Sequence, residues 1–95
     1  MGDAVFIGVD VGSGSVRAVG LGQGGQIYEP CTAPLVTHSP APQLFQQSTG
    51  QLWHSVCAAV TSLLSRHHIS SDRVVGLSFD ATCSLCLVPK PGTLR

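Results

Sequence analysis

The sequence predicts an α/β fold with a mixed sheet, its elements in the order β-β-β-α-β-β. Three observations carry this. Residues 4–11 (AVFIGVDV) and 74–79 (VVGLSF) are almost continuously apolar, as strands buried on both faces are. Turn residues cut the first 33 positions into three strand-length pieces. Between the second run and those pieces lies an apolar repeat at helical spacing.

In order, the first strand covers 4–11 and ends at Gly12-Ser13-Gly14-Ser15, residues that tolerate positive φ. Residues 16–22 (VRAVGLG) form a second strand, Gly24-Gly25 a second turn, and 26–33 (QIYEPCTA) a third strand broken by Pro30. Together they make an antiparallel meander. Residues 34–47, with Pro34, Pro40 and Pro42, read as an extended connector. Ser48 and Gln51 have capping-box spacing and open a helix. Leu52, Trp53, Val56, Cys57, Val60, Leu63 and Leu64 form its apolar stripe, with Trp53 read as core. The helix should stop near Arg66-His67-His68, whose positive charge suits a C-terminus. Ser70-Ser71-Asp72 is a loop, 74–79 a strand ending at Asp80, and 85–88 (LCLV) one more strand.

A strand reached through a crossover helix lies parallel to a strand of the meander, by a right-handed connection. The first strand is the natural partner of 74–79. Asp10 and Asp80 then finish at one edge of the sheet, where open α/β sheets bind ligands.

Composition narrows the function classes. Ninety-five residues make one small domain. Only 11% are charged, against roughly 25% in soluble domains, so part of the surface is expected to be covered by neighbours. Five basic and five acidic residues give no net charge, which argues against nucleic-acid or membrane-surface binding. No apolar run is long enough to span a bilayer, and MGDAVFIGVD lacks the basic start of a signal peptide. Cys31, Cys57, Cys83 and Cys86 therefore read as reduced thiols of a cytoplasmic protein.

Two constellations carry chemistry. In Asp10-Val11-Gly12-Ser13-Gly14-Ser15-Val16-Arg17 a glycine-rich turn bares backbone N–H groups that suit phosphate oxygens. Asp10 at its entrance makes sense holding Mg²⁺ through water, and Arg17 could neutralise phosphate charge. An ordinary hairpin with a solvated aspartate is the plain alternative. Asp80-Ala81-Thr82 after a buried strand suits a polyol, because the carboxylate accepts sugar hydroxyls and the threonine donates or accepts. A turn-forming aspartate is the alternative there. Gly20-x-Gly22-x-x-Gly25 spells a dinucleotide fingerprint, yet a strand follows it where a helix is required. Cys83-x-x-Cys86 has no second ligand pair for zinc.

The stretch Ile7-Gly8-Val9-Asp10-Val11-Gly12-Ser13-Gly14-Ser15-Val16-Arg17-Ala18 resembles the first phosphate motif of the FGGY carbohydrate kinases, members of the actin, Hsp70 and sugar-kinase superfamily. Gln47-Ser48 followed by Trp53 looks like the start of that family's first helix. Gly76-Leu77-Ser78-Phe79-Asp80-Ala81-Thr82-Cys83-Ser84 is similar to the strand and turn of its ribulokinase-like, pentulose-kinase branch.

The resemblance implies part of a ribonuclease-H-like (actin-like ATPase) lobe over residues 1–88, with 89–95 a divergent tail. It also implies transfer of the γ-phosphoryl group of ATP, with Mg²⁺, to a sugar hydroxyl. Asp10 would take the metal-associated role through water. Gly12, Ser13, Gly14 and Ser15 would line the phosphate turn, with Arg17 near the transferred group. Asp80, Ala81 and Thr82 would sit beside the sugar. The family's catalytic aspartate, second lobe and adenosine pocket lie far downstream and are not in these residues. The expectation is therefore an N-terminal fragment with no catalytic residue of its own. ATP and a sugar would be its small-molecule partners, and the remainder of the kinase a protein partner. A non-catalytic truncated product is the competing reading.

Overall fold

A computed structural model describes residues 3–35, 38–41, 44–46 and 49–81. Strands β1 (Val5–Val11), β2 (Ser15–Gly22) and β3 (Ile27–Pro34) form the antiparallel meander. Helix α1 (Thr49–Arg66) and a 3₁₀ turn (Ser71–Arg73) lead to β6 (Val74–Ala81), which runs parallel to β1. The sheet order is β3-β2-β1-β6. The connector is more structured than the sequence suggests: β4 (His38–Ala41) and β5 (Leu44–Gln46) pair as a small separate hairpin. Ser48, Thr82, Cys83, Cys86, the strand expected at 85–88 and the tail at 89–95 lie outside the described residues.

The core is one-sided. Val5, Ile7 and Val9 of β1, Val16 and Ala18 of β2, and Cys31 and Ala33 of β3 point to one face. There they meet Val56, Ala59 and Leu63 of α1, which are buried at helical spacing. Alternate residues of β1 turn to the open face, so the expectation of burial on both faces fails for this strand. A single helix can cover only one side. β6 departs further: α1 lies over β2 and β3, and every β6 residue from Leu77 to Ala81 is exposed. The predicted helix stripe needs the same correction. Trp53 is 63% exposed and Cys57 is exposed, while Ser55 and Ala59 hold the buried positions. Trp53 and Cys57, one turn apart, lie on the same side of the true contact line and are rotated away from it by roughly 100° or more.

Pro30 does not break β3. As the outermost strand of the sheet, β3 tolerates a residue that cannot donate to the ladder. The two turns also differ from expectation. Only Gly25, with φ 91°, uses positive φ, in a loop closed by Gly22 N–H donating to Gln26 O and Gly25 N–H to Gly22 O. No residue of the 12–15 turn does.

The helix ends in a Schellman motif. Ile69 N–H donates to Leu64 O, and His68 N–H to Ser65 O. His68 sits at φ 55° in the left-handed region where glycine is usual, and Ile69 is buried behind it. The two histidines at this end differ: His68 is exposed, whereas the His67 ring is half-buried, against the Tyr28 ring and 3.0 Å from the Glu29 carbonyl.

Candidate functional site

The parallel register of β1 and β6 places Asp10 directly opposite Asp80. The antiparallel register of β1 and β2 places Asp10 opposite Arg17. Residues opposite one another in a sheet share a face. Arg17, Asp10 and Asp80 therefore form one row across three strands, on the face away from α1. All three are exposed, and among the described residues none makes an ion pair. Two like charges side by side repel, and one cation flanking them leaves the row net negative. Such a row is poised for a cationic or hydroxyl-bearing ligand.

The next row inward is small. Gly8 pairs with Val19 on one side and Ser78 on the other. With no side chain at Gly8 and a short one at Ser78, an open cavity of about 170 Å³ forms beneath the charged row. Gly8, Asp10, Arg17, Val19, Ser78 and Asp80 line it. Sequence reading missed Gly8, Val19 and Ser78. Their signal was period two from Asp10, Arg17 and Asp80 once the register is known.

The turn from Gly12 to Ser15 lies at the same end of the sheet. Gly12 N–H donates to Ser15 O at 2.9 Å and closes the hairpin, so this amide is spent on the turn itself. Gly14 is different: a Cβ there would meet nothing within 4 Å, and its N–H faces no acceptor among the described residues. Its carbonyl is fixed, accepting from Leu35 N–H at 3.0 Å. Ala81 closes β6 opposite Val11, and Thr82 follows outside the described residues. Among the described residues no three His, Cys, Asp or Glu side chains gather as a metal cage. Asp10 and Asp80 offer at most two carboxylates. That donor set fits Mg²⁺, which keeps its waters and takes substrate phosphate oxygens, better than a metal needing an all-protein shell.

The sequence pattern of the FGGY family of carbohydrate kinases, N-terminal domain, matches residues 5–86. The chain belongs to that family. A D-ribulokinase of Saccharomyces cerevisiae is 35% identical to it, over 87% of this chain and 12% of the relative. An FGGY carbohydrate kinase domain-containing protein of Danio rerio is 34% identical, over 93% of this chain and 16% of its own length. A solved xyloylose kinase from Brucella ovis superposes with a TM-score of 0.74 at 18% identity, covering 81% of this chain and 16% of that one. At that identity the likeness speaks to fold: the sheet and helix are those of the first part of a sugar kinase of actin-like ATPase fold. The chain spans under a fifth of the length of each relative.

Proposed function

We propose that this chain supplies the first segment of a cytoplasmic, ATP-dependent kinase that phosphorylates a hydroxyl of a pentulose such as D-ribulose. The Arg17–Asp10–Asp80 row carries the reading. It sets a cation and two carboxylates side by side, next to a turn with an open glycine, which suits neutralising phosphate, holding a metal's water and accepting sugar hydroxyls. Mg-ATP would supply the phosphoryl group and its charge-balancing cation. The chain's own residues would position it: Asp10 would hold the metal through water, the 12–15 turn, its Gly14 amide above all, would face phosphate oxygens, and Arg17 would donate to the transferred group. Asp80, with Ala81 and Thr82, holds the sugar hydroxyls. Phosphoryl transfer asks a protein mainly for placement and charge stabilisation, and these residues offer part of each. The base that takes the hydroxyl proton would come from the part of the kinase beyond this segment, so the 95-residue chain alone should not turn over. The D-ribulokinase name of the yeast relative favours a pentulose.

The test is a graft. Residues 5–86 replace the matching segment of the yeast D-ribulokinase, and transfer from Mg-ATP to D-ribulose is measured. The graft should be active, and Asp10→Ala and Asp80→Ala should each cost on the order of 10²-fold or more in kcat/KM. Full activity in both variants would refute the assignment. Transfer by the isolated chain would refute its dependence on the remainder. The exposed β6 favours a second reading, a non-catalytic product that binds the rest of a kinase. It predicts a stable complex whose formation does not depend on Asp10.

A further inference from the structure

Ser55 is a buried polar side chain on α1, 8% exposed. Its hydroxyl donates to the Pro34 carbonyl at 2.8 Å. That carbonyl and the Leu35 N–H belong to one peptide plane, and the Leu35 N–H donates to the Gly14 carbonyl at 3.0 Å. The peptide bonds are trans, so the two ends of the plane point in opposite directions. One rigid plane thus joins the helix to the glycine turn, 41 residues away in sequence.

We propose that Ser55 is a positioning residue of the 12–15 turn, acting through the Pro34–Leu35 peptide. The inference rests on the phosphate reading of that turn. A peptide plane held at one end only can rock about its Cα–Cα axis. Held at both ends it cannot, and each bond also polarises the other. Fixing the Gly14 carbonyl fixes the Gly14–Ser15 plane, and restrains the adjoining Ser13–Gly14 plane that carries the Gly14 N–H. The turn has no positive-φ glycine to define its shape. Gly12 and Ser15 close it, and the Gly14 carbonyl ties it to the end of β3. The arrangement spends a buried hydroxyl on a strand-end carbonyl at a position where alanine would complete the apolar helix face beside Val56 and Ala59.

Two readouts separate this inference from the reading beneath it, the first on the 95-residue chain and the second on the graft of residues 5–86 into the yeast D-ribulokinase. The first is amide hydrogen exchange without nucleotide. Ser55→Ala should speed exchange of the Leu35 amide by about tenfold or more relative to the core amides of Val9 and Ala18, and Ser55→Thr, which keeps the hydroxyl, should restore it. Ala59→Gly, a helix substitution that leaves the relay intact, should speed core and Leu35 amides together. The second readout is the Mg-ATP affinity of the graft, which Ser55→Ala should weaken about three- to tenfold and Ser55→Thr should recover. A Leu35 amide that is unmoved by Ser55→Ala, or that moves only in step with the core, overturns the inference whatever the nucleotide does. A graft whose Mg-ATP affinity is unchanged by Gly14→Ala, with the Leu35 response intact, sinks the phosphate reading and supports the relay.

Discussion

At Gly14 a methyl group would stand in open space, and the backbone asks for no positive φ. Nothing in the fold requires glycine there. A ligand approaching the turn would require it, because a Cβ would occupy the approach. Gly14→Ala should therefore change stability by no more than about 0.5 kcal/mol in a urea titration of the chain, while weakening Mg-ATP binding by the yeast graft at least severalfold in a calorimetric titration. Equal binding by the two proteins would mark the turn as an ordinary hairpin. Asp10, Arg17 and Asp80 were legible as candidates from residue type and position relative to apolar runs. That they share one row was not: it depends on two strand registers, and a slip of one residue would have sent each to the other face. Ser55 was invisible for a related reason. Its partner is a backbone carbonyl, which has no sequence signature.

At the scale of elements, helix α1 shows what periodicity resolves and what it leaves open. Two adjacent apolar lines run along it. The line through Ser55, Val56, Ala59 and Leu63 is the buried one, with Leu52, Val60 and Leu64 partly buried beside it. Small residues beneath it, Ala18 and Ala33, let the helix approach, and this choice of line leaves Trp53 outside. The C-terminal end of the helix was placed correctly from its basic residues, but the mechanism is a backbone motif with histidine where glycine is cheapest. His68→Gly should accordingly stabilise the chain by about 1 kcal/mol, as the left-handed strain is relieved, visible as a higher urea midpoint at unchanged slope. A lower midpoint would mean the His68 side chain contributes more than its backbone costs.

Across the whole molecule, β6 is the unfinished side. Among the described residues it pairs only with β1, and Val75, Leu77 and Phe79 are 59%, 46% and 55% exposed. Leu77 and Phe79 lie opposite the buried Ile7 and Val9, on the face that α1 covers elsewhere. An edge strand with apolar side chains invites pairing with another chain. Leu77→Lys and Phe79→Lys should raise the monomeric fraction in sedimentation at equal concentration, with stability changed by less than about 0.5 kcal/mol each, since little contact is lost. A fall in stability of 2 kcal/mol or more would show that these side chains are packed in solution. The low charge content of the sequence agrees with such uncovered surface, because a domain that meets water on all sides carries more charged residues.

The three strands of the meander, the helix, the strand that follows it, the two glycine turns and the two aspartates at strand ends follow from local chemistry: hydrophobic period, turn residues and charge at the helix end act over a few neighbours and can be read from them. Which face of each strand is buried, which line of the helix touches the sheet, and which residues stand beside Asp10 did not follow. Those depend on contacts between segments tens of residues apart, and register and docking angle are settled only when the helix closes over the meander and β6 arrives beside β1.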